Sequence, residues 1–365
     1  MNALDAYSSS YEAARARFRE LAYAAGAVLE QHPVSIANTP QEALTVDVAT
    51  IGSNKPEWAV VISSGLHGIE GFLGSAAQLA WLNRSQSLSG AKDGEGRFVL
   101  IHAINPYGFR ELRRTNEDNV DLNRNFLDEP ADFRGAPDGY RALDSLLNPA
   151  SPPSPVDPFY LKALWHVWRA GLPALKESIA GGQYEYARGL FYGGSRLAQS
   201  ANIILENFGR WTAGATDVLH IDFHTGLGKY GAYTLLVVDA PDSPALDWYR
   251  KAFGENVVEA VAQADGTAYK LRGTMAAALA ARFAGSNYRC VGAEFGAYPV
   301  LRVLAAMRAE NRAHFYSRPG ETFYRRAKAE LLECFCPSDA KWRETALHQA
   351  LRVIDQGIAS APFRP

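Results

Sequence analysis

Apolar residues fall along the chain in short runs that alternate with longer stretches of helical spacing. The segments LTVDVATIG (44–52), WAVVISS (58–64) and RFVLIHAIN (97–105) are dominated by β-branched and large apolar residues and predict strands. DVLHIDFHTG (217–226), YTLLVVDA (233–240) and RCVGAEFG (289–296) read the same way. Between and after them, apolar residues every three or four positions predict helices over 71–84, 156–180, 244–264, 273–284, 300–316, 319–334 and 340–357. The first twenty residues also read as an amphipathic helix. Such alternation predicts an α/β fold, a central mixed, mainly parallel twisted sheet with helices on both faces. The stretch NPASPPSPVDP (148–158) carries too many prolines for regular structure, and no shift of composition follows it. It is read as a loop inside one domain spanning 1–365, with 127–216 as an elaborated insertion.

In open α/β sheets, ligands bind beyond the carboxyl ends of the strands. The polar residues placed there are His67 and Glu70, Asn105, His224 and Glu294. Only eight histidines occur in the chain, so two at these ends is a selective outcome. In SSGLHGIEGF (63–72), a spacing of three brings His67 and Glu70 to one side of a turn, and Gly65, Gly68 and Gly71 keep the backbone slim beside them. In LHIDFHTG, the period of two puts His220, Asp222 and His224 on one strand face and Leu219, Ile221 and Phe223 on the other. His224 lies at the open end. His220 is deeper and reads as a core or supporting histidine, and Asp222 as either an orienting partner or a buried carboxylate. Two histidines and a carboxylate are a standard catalytic zinc set that leaves one position for water. The stretch RELRRTNEDNVDLNRNF (110–126) holds Arg110, Arg113, Arg114 and Arg124. Leu122 and Phe126 anchor Asn123 and Arg124 between them, and a fixed guanidinium fork suits a carboxylate.

The order of these pieces resembles the zinc carboxypeptidase family, in a bacterial branch: HxxE, an arginine ahead of a DxNRN motif, a distant strand-end His-Thr, and a glutamate in a late strand. The DLNR-x-F form is shared with the related aspartoacylase and succinylglutamate desuccinylase group. The likeness covers roughly residues 58–300. It implies one zinc ion per chain, held by His67, Glu70 and His224. It implies Asp121 as the carboxylate fixing the tautomer of the first histidine, Arg113 (or Arg114 or Arg110) as the oxyanion-stabilising arginine, and Glu294 as general base. Asn123 and Arg124 would clamp a substrate carboxylate. The family's mobile tyrosine has four candidates, Tyr230, Tyr233, Tyr249 and Tyr269. GLFYGGS (189–195) has no familiar counterpart; Tyr192, Gly193 and Gly194 are either part of a pocket wall or a glycine turn. The activity implied is amide hydrolysis next to a free carboxylate, foremost by a metallocarboxypeptidase. An N-acyl amino acid deacylase or cell-wall peptide amidase is the alternative, and a catalytically silent binding protein a remote one.

Composition narrows the partners. Over 365 residues, 47% are hydrophobic and 21% charged, which is the profile of a globular protein. The balance of 37 basic and 39 acidic residues gives no field for nucleic acid or an anionic membrane, and no apolar run is long enough to span a bilayer. The expected partner is a peptide or N-acyl amino acid with a free carboxylate. Three cysteines, with no basic-then-apolar leader at the start, point to a reducing cytoplasm. The Cys334-x-Cys336 pair is read as two buried thiols rather than a metal clip.

Overall fold

The computed structural model describes residues 2–36, 44–85, 95–171, 179, 181–261 and 271–363. Among them, eight strands form one sheet: β1 (Val28–Pro33), β2 (Thr45–Gly52), β3 (Trp58–Ser64), β4 (Gly96–His102), β5 (Asp217–Thr225), β6 (Tyr233–Val237), β7 (Val258–Ala260) and β8 (Asn287–Phe295). Their order is β1-β2-β4-β3-β5-β8-β6-β7. The central four, β4-β3-β5-β8, are mutually parallel, and β1, β2 and β6 join antiparallel towards the edges. The sheet is therefore mixed, with a parallel centre covered on both faces: β5 is buried at all nine positions.

Helices cover both faces. On β5, Leu219 and Ile221 meet Gly357 of the helix Ala340–Ala359, and Phe223 meets Gly74 of the helix Gly71–Ser85. The opposite face, with His220, packs on Phe208 of the helix Gln199–Trp211, ring centroids 5.5 Å apart. One apolar core joins these layers, and a small satellite of Tyr140, Leu143 and Leu147 lies on the helix Asp138–Leu147. The carboxyl ends of β3, β4, β5 and β8 share one rim, where the candidate residues collect.

Several boundaries differ from the sequence expectation. The first helix starts at Tyr11, where Ser10 caps it by accepting from the Ala13 N–H. The expected strand 97–105 stops at His102, because Asn105 caps a short helix opened by Pro106. The expected helix 244–264 ends at Phe253, where Gly254 takes φ +103°, and β7 follows; residues 262–264 lie outside the described residues. The expected helix 156–180 runs from Phe159 to Ala170 and stops at Gly171, φ +80°; residues 172–178 and 180 lie outside the described residues. Besides β7 and the short helix at Pro106, three further elements went unexpected: β1, whose VLEQHP pattern is too polar to stand out, and the helices 138–147 and 199–211. The three cysteines are free and buried.

Candidate metal centre

The turn after β3 is built by close backbone approach. Gly68 and Ile69 donate their N–H groups to the carbonyls of Arg114 and Arg113 at 3.2 and 2.7 Å, which ties the His67–Glu70 turn to the arginine stretch. A Cβ on Gly68 would stand 2.1 Å from the carbonyl carbon of Gly108, so only glycine fits there. A short 3₁₀ turn, Gly68–Glu70, then aims Glu70 back towards His67.

Three side chains converge at this point. His67, Glu70 and His224 each present a donor atom, all within 4.8 Å of one another, and all three residues are buried. The Nδ1 atoms of the two histidines face the two Glu70 oxygens at 3.0 and 2.9 Å. On the far side of each ring, Nε2 meets a carboxylate: Asp121 Oδ1 at 3.1 Å behind His67, and Asp222 Oδ2 at 2.7 Å behind His224. The Asp222 carboxylate at His224 Nε2 favours the proton there and directs the Nδ1 lone pair inward, as a metal-ligating imidazole needs; behind His67, Asp121 shares Nε2 with the Arg114 guanidinium, a donor only, at 2.7 Å. Asp222 is itself held by the Ser63 hydroxyl, which donates to Oδ1 at 2.6 Å and also meets His220 Nε2 at 2.7 Å. His220 thus supports the site from below through Ser63, and its Nδ1 meets the Tyr288 hydroxyl at 2.9 Å.

The charges explain how so many ionisable groups are tolerated together. Burial alone would push the Glu70 carboxyl up, yet the His67 charge, hydrogen bonds from both histidines and the Arg114 guanidinium hold it well below the usual range. Asp121 is likewise buried but held far down by Arg114 and His67. His224 goes the other way: burial would lower it, and Asp222 with Glu70 raises it well above an ordinary histidine. Glu294 is pushed up to about 7, first by burial and then by the Glu70 charge.

A metal fits this donor set. His67 Nδ1 is buried and, although a Glu70 oxygen stands 3.0 Å away, it makes no hydrogen bond of good geometry, which is costly unless something electrophilic belongs between the two. Two imidazoles and a carboxylate are zinc chemistry. Among the described residues no other cluster of this kind occurs; Cys334 and Cys336 are buried apart from it, and Asp222 stands on the Nε2 side of His224, away from the shared point.

The remaining expected residues separate into those at the centre and those elsewhere. Glu294 lies directly beside His224 in the β5–β8 ladder and accepts from the Leu227 N–H at 2.9 Å. Arg113 is not at the centre. Its guanidinium is buried against Glu310 at 3.0 Å, with Asn119 and Asn311, under the Phe315 ring. Leu112 takes φ +50° where the short helix Pro106–Arg110 gives way, and in the irregular chain beyond it the two neighbouring arginines find different partners. Arg114 occupies the position instead: it donates to Glu70 at 2.8 Å and Asp121 at 3.1 Å, and meets His67 Nε2 at 2.7 Å. Arg110 pairs with its neighbour Glu111. Arg124 is buried, with Nη1 on the Asn123 carbonyl at 2.6 Å. The Asn123 amide oxygen accepts from the Met275 N–H, capping the helix Met275–Arg282 and leaving its NH₂ group for other partners. Asn105, the fifth strand-end residue, is a structural cap that accepts from the Gly108 N–H at 2.8 Å. Of the tyrosines, Tyr249 is core, Tyr233 stacks on Phe295, and Tyr230 is half exposed and bonded to Asp339. Tyr269 lies outside the described residues.

A family model described as "Protein of unknown function (DUF2817)" matches residues 7–349. The chain belongs to that family. No curated protein matches it. Among solved structures, it is similar to bovine thrombin-activatable fibrinolysis inhibitor in complex with tick carboxypeptidase inhibitor, at 12% identity and a TM-score of 0.47, covering 96% of this chain and 98% of that one. Carboxypeptidase A from Helicoverpa armigera is similar at 14% identity and a TM-score of 0.47, over 88% of this chain and 73% of that one. Murein-tripeptide amidase MpaA from Escherichia coli O157 is similar at 16% identity and a TM-score of 0.38, over 78% and 91%. These are likenesses of fold. Among the described residues no helix is long and apolar enough to cross a membrane.

Proposed function

We propose that this chain is a zinc-dependent hydrolase that cleaves an amide bond beside a free carboxylate, acting as a metallocarboxypeptidase. The observation that carries this reading is the pair of carboxylate-backed histidines turned, Nδ1 inward, onto Glu70, with Glu294 in register beside His224. His67, Glu70 and His224 would hold the ion, Asp222 would keep the His224 ring in the ligating tautomer, and Asp121 would back the His67 ring. Bound there, zinc supplies Lewis-acid chemistry, activating water and polarising the scissile carbonyl.

The protein's own groups do the rest. Glu294 is the only carboxylate of the centre with its pKa raised, so it can take a proton at its carboxylate and return it to the leaving nitrogen near neutral pH. Arg114 has five N–H donors and its three contacts leave others for the developing oxyanion. Arg124 and the Asn123 amide would hold the substrate's carboxylate and set the register of cleavage.

The test is an activity screen with and without added zinc, comparing blocked dipeptides, their C-terminal amides and N-acyl amino acids. The reading expects zinc-dependent cleavage of the free acids and weak cleavage of the amides. Equal cleavage of acids and amides would replace it with an amidase or endopeptidase specificity. Preference for N-acyl amino acids would make the enzyme a deacylase.

A further inference from the structure

The segment Gly182–Gly194, ahead of the helix Gln199–Trp211, forms a closed bracket that touches both Arg114 and Arg124. Its two ends are sewn together: the Gln183 N–H donates to the Phe191 carbonyl at 3.1 Å, and the Gly193 N–H to the Gln183 carbonyl at 2.8 Å. The buried Gln183 side chain accepts from the Glu185 and Tyr186 N–H groups and donates to the Tyr186 carbonyl, which locks the intervening turn. The bracket then reaches the centre at three points. The Tyr192 carbonyl accepts from the Asp121 N–H at 2.7 Å, and the Tyr184 hydroxyl donates to the Arg124 carbonyl at 2.7 Å. The third contact is Phe191, whose ring lies against the Arg114 guanidinium, 5.6 Å from Cζ to centroid.

Phe191 makes that contact from a backbone conformation an aromatic residue rarely adopts, φ +55°. Strain of this kind persists only where the surroundings over-determine it, and it concentrates at functional sites. Here the bracket's hydrogen bonds supply the constraint, and its product is an aromatic face laid on a cation that touches Glu70, Asp121 and His67 together. A ring in that place does two things: it attracts the guanidinium through its quadrupole, and it keeps water off one face of the cation. Other parts of the bracket are equally particular about space. A Cβ on Gly193 would stand 2.2 Å from the Tyr184 ring, and one on Gly182 would stand 2.7 Å from Arg124 Cδ.

We infer that Phe191 is a positioning residue that fixes the plane of the Arg114 guanidinium, so that its free N–H edge is presented to the developing oxyanion. This rests on the proposed role of Arg114 in amide hydrolysis. It explains the GLFYGGS stretch: the two glycines let the chain pass close to Tyr184 and Asn125, and the phenylalanine ahead of them carries the contact.

Two variants separate this from plain packing. Phe191→Leu keeps an apolar side chain but removes the aromatic face, and Phe191→Tyr restores it. Each would be measured for kcat, KM and melting temperature on the best blocked dipeptide, and each crystallised with zinc. Expected for Leu is a fall of about tenfold in kcat with KM within about twofold and a melting temperature within a few degrees of wild type; Tyr stays within about threefold of wild-type kcat. A Leu variant with wild-type kcat overturns the inference, as does a Tyr variant as impaired as Leu, or a loss confined to KM. If wild-type protein cleaves none of the substrates, the hydrolase reading has failed on its own account. The crystal structures then decide: an Arg114 guanidinium displaced in Leu and in place in Tyr supports the positioning role, and an identical guanidinium in both overturns it.

Discussion

Arg113 and Arg114 are neighbours in sequence with opposite fates, and their divergence gives the sharpest residue-level expectations. Arg113 is sealed against Glu310, which Lys328 also reaches at 2.7 Å. Arg113→Ala should therefore lower stability by about 3 kcal/mol, by leaving buried partners short of a cation, with kcat little changed at a temperature where the variant is folded. Arg114→Ala should lower kcat about 10²–10³-fold. Denaturation curves and steady-state kinetics on the two variants check this; a reversal of the two profiles would return the oxyanion role to Arg113. Glu294→Gln should retain zinc and fold yet lose about 10²–10⁴-fold in turnover, and near-normal turnover would move the base elsewhere. The sequence made His67, Glu70, Asp121, His224 and Glu294 legible because each sits at a fixed offset from a strand end or inside a distinctive motif. It left Arg113 and Arg114 open because a tandem pair has no periodicity to say which way each points, and the irregular backbone beyond the positive φ at Leu112 is a tertiary outcome. Asp222 was visible as a same-face neighbour of His224, but only the ring orientation reveals that it backs Nε2. Phe191 gave no signal, since a phenylalanine before a tyrosine and two glycines looks like any turn.

At the scale of elements, the central strands were readable because each is a short run of β-branched and large apolar residues, continuous in β3 and alternating with polar residues in β5, and β3, β5 and β8 appeared within a few residues of their observed ends. What escaped was either too polar, as β1, or interrupted by a glycine whose effect on periodicity is small and on backbone direction large, as at Gly254. The turn that delivers His67 and Glu70 depends on the backbone of 108–109 approaching Gly68. Gly68→Ala should push those two segments apart and break the hydrogen bonds to the Arg113 and Arg114 carbonyls. Bound zinc per chain, measured after dialysis, should fall well below one for this variant, and full occupancy would show that the turn tolerates the shift.

At the scale of the whole molecule, two buried histidines make stability depend on pH. Burial pushes His102 and His220 down to about 4. An unfolded chain titrates near 6.5, so between about 6.5 and 4 the unfolded state binds more protons and stability rises with pH. The contribution is fully present above about 6.5 and is lost as pH falls through 4, to the extent of about 3 kcal/mol per histidine. Glu294 and His224, both raised, act in the opposite direction, so the contribution is read as a difference. Urea denaturation at pH 7, 5.5 and 4.5 should show wild type losing more stability than His102→Gln as pH falls, and a difference that does not change with pH would contradict the burial. The same sheet that hides these histidines brings His67 and Glu70 from the end of β3, His224 from β5 and Glu294 from β8 to one rim. Whether that convergence is a metal centre is settled most directly by a crystal grown with zinc and measured at the zinc absorption edge. A single anomalous peak is predicted about 2.0–2.2 Å from His67 Nδ1, a Glu70 carboxylate oxygen and His224 Nδ1, with one further position open. A peak bound through His220 or Asp222, a Glu70 turned away from it, or no peak at this rim would contradict it.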